Sequence, residues 1–374
     1  MIKYTTLGNL IAPAKVIRCG KGSFPVLSMT MHDGIVLQSE RFKKSLASID
    51  QSDYKVVKRG QLVVGFPIDE GVLYVQKAAD EGIMSPAYNV WDIDTEKVDA
   101  DFLELCLHSP QSMQYYKDKL RGTTARRRSI PTADLLALRI RLPDMQTQRE
   151  VVAIMRKTEA VIAARQEQLN SFEQLVKSRF IELFGDPVAN SFGWKQAILR
   201  EVTRKIGSGA TPRGGKESYQ AEGITLIRSM NVHDGRFEYK DLAHITDEQA
   251  AQLDNVTVEA GDVFINITGA SVARSCIVPT DILPARVNQH VAIIRCARDW
   301  LHPSFANNMF LNDRFKGQLL DIGESGGATR QAITKQQLEN LAVILPPMEL
   351  QEQFAAFVEQ TDKSKLCGEM EVAA

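Results

Sequence analysis

The chain carries nearly the same passage twice, 201 to 203 residues apart, and this duplication constrains its fold more than any other feature. Ser28-Met29-Thr30-Met31-His32-Asp33-Gly34 recurs as Ser229-Met230-Asn231-Val232-His233-Asp234-Gly235, and Gly60-Gln61-Leu62-Val63-Val64 recurs as Gly261-Asp262-Val263-Phe264-Ile265. Near the end of each copy, Leu142-Pro143-Asp144-Met145-Gln146-Thr147-Gln148 aligns with Leu345-Pro346-Pro347-Met348-Glu349-Leu350-Gln351. Solenoid repeats recur every 20 to 50 residues, so a period of about 200 is a duplicated domain. Two globular units of one design follow, and with them a ligand in two parts.

Each copy reads as mixed α and β. Strands are expected at 61–66, 88–93 and 138–142 in the first copy, and at 225–228, 262–267, 291–295 and 342–345 in the second. A helical stretch follows the third strand in each, at 101–120 and 303–320, and leads into a polar loop, 121–129 and 323–331. His32-Asp33-Gly34 and its counterpart His233-Asp234-Gly235 read best as tight turns between strands. A His-Asp metal or catalytic pair, and direct contact with DNA, are the other readings of that motif.

Between the copies the pattern changes. From Thr147 to Phe184 there is no glycine or proline, and Met155, Ile162, Leu169, Val176 and Leu183 recur every seventh residue. Phe172 and Phe180 flank the seam. This is a long helix with a coiled-coil stripe, stopped by Gly185-Asp186-Pro187. At 1.5 Å per residue it makes a rod of roughly 57 Å. Such a stripe needs cover, and after Pro347 the residues Leu350, Phe354, Phe357 and Val358 begin a shorter helix of the same kind. Its last turns, from about Lys365, lose the apolar repeat and are expected to fray. The expected fold class is therefore mixed α/β. Two α+β domains, 1–143 and 186–346, are separated by two long antiparallel helices, 144–185 and 347–374, forming a coiled coil with an internal pseudo-twofold repeat.

Motifs for chemistry are few. Gly323-Glu324-Ser325-Gly326-Gly327 fits a nucleophile elbow only in letters, because it follows a helix rather than a strand. The run from Gly207 to Glu217 lacks the glycine at 210 and the hydroxyl at 217 that a phosphate loop needs. The 5 cysteines are scattered and form no Cys-x-x-Cys pair, the 6 histidines form no His-Glu-x-x-His, and no metal site is expected. No apolar run long enough to cross a bilayer and no leader-like start is present, so no membrane partner and a cytoplasmic location are expected. The net charge of −1 argues against a uniformly basic surface, yet residues 117–141 hold eight basic side chains against two acidic ones.

Taken together, the two Leu-Pro-x-x-x-x-Gln turns, the long heptad helix ending in Phe180-Ile181-Glu182-Leu183-Phe184-Gly185-Asp186, and the segments 206–212, 223–228 and 261–269 have a familiar arrangement. The chain resembles, over essentially its whole length, the specificity (S, HsdS) subunit of a type I restriction-modification system. The resemblance implies two domains that read the halves of a bipartite double-stranded DNA target, with the helices fixing the spacing. It implies two methyltransferase (M) subunits docked on those helices, using S-adenosylmethionine to modify adenines, and restriction (R) subunits using ATP and Mg2+. It implies no catalysis and no bound cofactor in this chain.

If the chain grips DNA, arginine and lysine must meet phosphates while arginine, asparagine or glutamine read base edges. In the first domain the candidates are Arg126, Arg127 and Arg128, supported by Lys117 and Arg121. In the second they are Arg213, Lys216, Arg228, Arg274 and Arg330, with Asn231 and Gln331 as base readers. Met155, Ile162, Leu169, Phe172, Val176, Phe180, Leu183, Leu350, Phe354, Phe357 and Val358 are expected to pack the helices and dock partners. The competing class is a non-catalytic protein-interaction scaffold, two adaptor domains on a coiled-coil strut. The basic cluster and the hydrophilic loops favour DNA.

Overall fold

The computed structural model describes residues 3–41, 50–120, 128–212, 214–324 and 331–373, with the backbone alone at 216 and 366–373. The chain forms two compact units, Met1–Ile162 and Ala163–Ala374, which divide within the long helix Met145–Phe184.

In the first unit the strand Lys3–Thr6 pairs antiparallel with Arg139–Leu142, the segment that leads into the long helix. A four-stranded antiparallel sheet follows in the order Ile11–Pro13, Asn89–Ile93, Leu62–Val64, Leu73–Val75. The second unit repeats both features. Lys195–Ile198 pairs with Ala342–Leu345, and the sheet order is Thr203–Ser208, Val291–Cys296, Val263–Asn266, Ser275–Ile277. Val263–Asn266 is buried along its whole length, as a central strand covered on both faces must be.

The helix expected over 101–120 is in fact two, Ala100–Leu107 and Pro110–Lys119. Ser109 interrupts it: its hydroxyl accepts from Ser112 N–H and Pro110 follows at the first helical position, the arrangement that starts a new helix. The second unit breaks in the same way into Pro303–Leu311 and Asp313–Glu324, with Asn312 Oδ1 accepting from Arg314 and Phe315 N–H.

The long helix starts where Asp144 accepts from the Thr147 N–H and hydroxyl, and ends at Gly185, whose φ of +73° suits glycine alone and whose N–H returns to Ile181 O at 2.8 Å. Its final turns belong to the second core. Phe180 and Phe184 pack with Phe305 and Phe354 at centroid separations of 4.7 to 5.5 Å, and Val176 joins the same cluster. Arg179, which precedes Phe180 and Phe184, lies over the ring of Phe357, one turn after Phe354, so here the two helices run antiparallel. Leu169, Phe172, Leu183, Leu350, Phe357 and Val358 are half-buried, but the upper part of the stripe is not covered: Met155 is 39% and Ile162 55% exposed. The seam is therefore shorter than the heptad pattern suggests, and Val152 rather than Val151 reaches the first core. The helical backbone of the closing helix continues to Ala373.

One side chain in each unit ties helix to sheet. Gln148 Nε2 donates to Pro143 O (2.9 Å) and Lys97 O (3.3 Å), and its Oε1 accepts from Asp99 N–H (2.8 Å). Gln351 does the same with Pro346 O (2.9 Å), Trp300 O (3.1 Å) and His302 N–H (2.9 Å). Both are essentially inaccessible to solvent. This is the physical reason that the turn of each repeat ends in glutamine.

Candidate nucleic-acid interface

In the second unit several polar loops gather where strand Val263–Asn266 ends. Gly209 leads off the edge strand and donates its N–H to Asn288 O; a Cβ there would come within 1.8 Å of Val287 O, so only glycine permits the approach. From this crossing a chain of side chains spans the end of the sheet. Thr211 Oγ1 donates to Gln289 Oε1, Gln289 Nε2 donates to His290 Nε2, and His290 Nδ1 meets Thr268 Oγ1. Thr268 then bridges to Ala332, and Gly269 N–H donates to Gln331 O. Asn266 Nδ2 donates to Ser229 O, bringing the repeated Ser-Met segment to the same place.

Of the expected contacts here, Arg274 is half-exposed, with no ion-pair partner among the described residues, and Gln331 Nε2 is held by Glu324 at 2.6 Å. Arg228 is half-buried, lies over the Tyr219 ring at 5.4 Å and donates to Asp241 O. Asn231 is not a base reader. It has no solvent exposure, its Oδ1 accepts from Arg228 N–H, and its Nδ2 donates to Glu238 and Lys240 carbonyls, so its amide pins the turn and has nothing left to offer a base. Arg213, Arg330 and the Lys216 side chain lie outside the described residues. The Thr211, Gln289 and His290 group was missed in the sequence, although the polar run Asn288-Gln289-His290 directly before an apolar strand was its signal.

The first unit builds the corresponding end differently. Ile68 N–H donates to Arg128 O just as Gly269 N–H donates to Gln331 O, so Arg128 and Gln331 hold equivalent places. The Arg128 guanidinium is turned inward onto Asp69 (3.0 Å) and Glu70. This corrects its assignment as a free phosphate contact: two carboxylates already hold it. Lys117 is exposed in the last turn of Pro110–Lys119, with no ion-pair partner among the described residues, whereas Arg121, Arg126 and Arg127 lie outside them.

Both His-Asp-Gly motifs are hairpin turns. They join Leu27–Met29 to Ile35–Leu37 and Val232–His233 to Arg236–Phe237, with both glycines at positive φ, while Asp33 pairs with Arg41 and Asp234 with Lys316. Burial pushes the thiols of Cys106 up to about 11 and of Cys276 and Cys296 to about 12, so these three are protonated at neutral pH and poor nucleophiles. Among the described residues no cluster of His, Cys, Asp or Glu could hold a metal, and no helix is long and apolar enough to cross a membrane.

The two α+β units share the order of their four-stranded sheets while their three-stranded sheets differ, and each ends in its own polar loops. Residues 193–367 match the family model described as the type I restriction modification DNA specificity domain. The fold recurs in solved structures. A chain from a study of the structural basis of complex assembly and conformational transition of the type I R-M system is 18% identical, with 100% of this chain and 93% of that one covered at a TM-score of 0.57. The type I restriction-modification S subunit from M. genitalium is 13% identical, with 100% and 92% covered, also at 0.57. Residues 193–367 thus carry a type I restriction modification DNA specificity domain, and over its whole length the chain shares the fold of these solved structures.

Proposed function

We propose that this chain chooses the DNA target of a type I restriction-modification complex by reading a bipartite site, one half with each unit. The observation that carries this reading is the shared order of the four-stranded sheets in the two units, joined to loops that differ: Arg128 locked on carboxylates in one, and Gln331 held by Glu324 near a Thr-Gln-His-Thr chain in the other. One scaffold used twice with unlike loops suits two unlike half-sites separated by bases that are not read. The 40-residue helix leading out of the first unit fixes the spacing.

That helix is also the dock for two methyltransferase subunits. Val151, Ile154, Met155, Val161 and Ile162 are 36% to 63% exposed, an apolar stripe that water disfavours and a partner would cover. The partners carry the chemistry: S-adenosylmethionine-dependent adenine methylation in the M subunits, and ATP- and Mg2+-dependent translocation and cleavage in the R subunits. Their double-stranded DNA substrate places the assembly in the cytoplasm. This chain acts by positioning, holding the duplex while the target adenine leaves the stack.

The test is to map methylated adenines in host DNA with and without the gene, and with the first unit exchanged for that of a relative. A bipartite mark should vanish in the first case and change in one half only in the second. An unchanged pattern in an otherwise active system refutes the reading.

A further inference from the structure

An open groove of about 490 Å³ runs along the edge strand Thr203–Ser208 of the second unit. Arg200, Arg204, Lys205 and Lys335 line it, with Asn255 on the far wall. Arg200 and Arg204 are exposed and Lys205 half-exposed, and among the described residues none of the three has an ion-pair partner. Lys335 has one, Glu339 at 3.5 Å along its own exposed helix. Glu201, the other nearby carboxylate, accepts from Ile198 N–H. Arg286 and Arg295 of the same unit, by contrast, each hold carboxylates and carbonyls. Glu339 lines the trough as well, held by Lys335, so four cations face one carboxylate there, and that excess of positive charge is what a polyanion requires.

The duplicated scaffold supplies an internal control. Leu7 and Leu199 make the same bonds, to Leu138 O and Leu341 O, so Gly8 stands where Arg200 does. The strand register places Ala12 opposite Asp92 as Lys205 is opposite Arg295, and the short helices Thr132–Leu136 and Lys335–Glu339 put Thr132 at the place of Lys335. Arg204 has no counterpart, because it is the extra residue of a β-bulge between Thr203 and Lys205. Bulges re-aim side chains and are built for a purpose. The first unit makes the same sheet without any of these four cations, so the fold does not need them. At its other end the groove reaches Gly207 and Ser208, and the next residue, Gly209, begins the loop that opens the reading surface.

We propose that this groove binds consecutive backbone phosphates of one DNA strand as it leaves the reading loops, so that the second unit grips its half-site through phosphates more strongly than the first. The proposal rests on the DNA reading above and adds a site to it. Phosphate contacts set affinity and register without selecting sequence, so the grip is indifferent to the bases it spans.

The test uses the full chain with its methyltransferase subunits and fluorescently labelled duplexes of unrelated sequence, titrated at several salt concentrations. The variants are Arg200→Gln/Arg204→Gln/Lys205→Gln and the single Arg204→Ala, with folding followed by circular dichroism. Each phosphate contact contributes about 0.9 to the slope of log K against log salt, so the triple variant should lower the slope by about two to three units and the single by about one, equally on every duplex. Unchanged slopes, with wild-type binding intact, overturn the groove and leave the DNA reading standing. Absence of salt-dependent binding by the wild-type complex overturns both. Loss of inorganic phosphate binding or of methyltransferase association, with DNA binding unaltered, also overturns the proposal, assigning the groove to a free anion or to an acidic protein surface.

Discussion

Replacing Gln351 with leucine removes the clamp between the closing helix and the second sheet while keeping a side chain of similar bulk. Three main-chain groups lose their partner: the His302 N–H and the carbonyls of Trp300 and Pro346, at 2.9, 3.1 and 2.9 Å. Gln351 is wholly buried, so water cannot readily replace it. A hydrogen bond contributes about 0.5 to 1.5 kcal/mol net, and orphaned buried groups cost at the upper end, which sums to about 3 kcal/mol. For a unit of about 200 residues this is a fall in Tm of about 6 to 12 °C. The loss should be local, because Gln148 clamps the first unit independently. Fluorescence separates the two: Trp91 reports the first unit, and Trp194 and Trp300 report the second. In urea melts Gln351→Leu should move the second transition alone and Gln148→Leu the first alone. Gln351→Glu should be worse than leucine at neutral pH, since a carboxylate would face two carbonyls, and should recover partly as acid protonates it. A loss below about 1 kcal/mol, or equal shifts in both transitions, would show that the repeated glutamine is not the tie between helix and sheet.

Other outcomes follow from the same geometry. Burial, and then Arg298, hold the His302 pKa below 6.5, and its neutral Nδ1 caps Ser304 N–H at 3.2 Å. A base whose folded pKa is depressed contributes stability above its unfolded pKa and loses it as pH falls, so the second unit should weaken in thermal melts as pH drops below about 6.5, and His302→Asn should flatten that dependence. Asp262 has no exposure and holds Arg295 through two bonds of 2.8 and 2.9 Å; Asp262→Asn should cost about 2 kcal/mol in chemical denaturation, because the half-buried guanidinium keeps only Glu259 of its two carboxylates. Met155→Asp with Ile162→Asp should leave the melting of the isolated chain within about 0.5 kcal/mol of wild type but abolish co-purification of methyltransferase subunits; retained association would remove the stripe from the docking surface.

The duplication, the closing strands and the long helix were legible because each is a local pattern: a repeated turn, an alternation, a period of seven. The split of each paired helix was equally local, written in Ser109-Pro110 and Asn312, but helix-like sequence on both sides of each break hid it. Site residues were far less legible, because charge in a sequence does not say what the charge faces. Arg128 stands in a basic run, yet its partners Asp69 and Glu70 lie some sixty residues earlier and meet it only through the fold. Asn231 has the chemistry of a base reader, yet a turn consumes all its hydrogen bonds. Conversely, Arg200, Arg204 and Lys205 are unremarkable in the sequence because Glu201 and apolar residues are interleaved with them, and only the bulge and the strand edge bring them to one trough.

Comparison of one unit with the other recovers part of what a single sequence conceals. Positions where the units agree, such as Gln148 with Gln351 and Gly34 with Gly235, bear on hydrogen bonds and backbone conformations that any copy of this sheet requires. Positions where they disagree at equivalent places are free of that requirement. Arg128 against Gln331 and Gly8 against Arg200 are of this second kind, and each lies beside a loop or groove rather than in a core. The two units therefore diverge at solvent-facing ends while sharing a frame. Under the bipartite reading proposed above, that division lets the loops of one unit change without disturbing the frame it shares with the other.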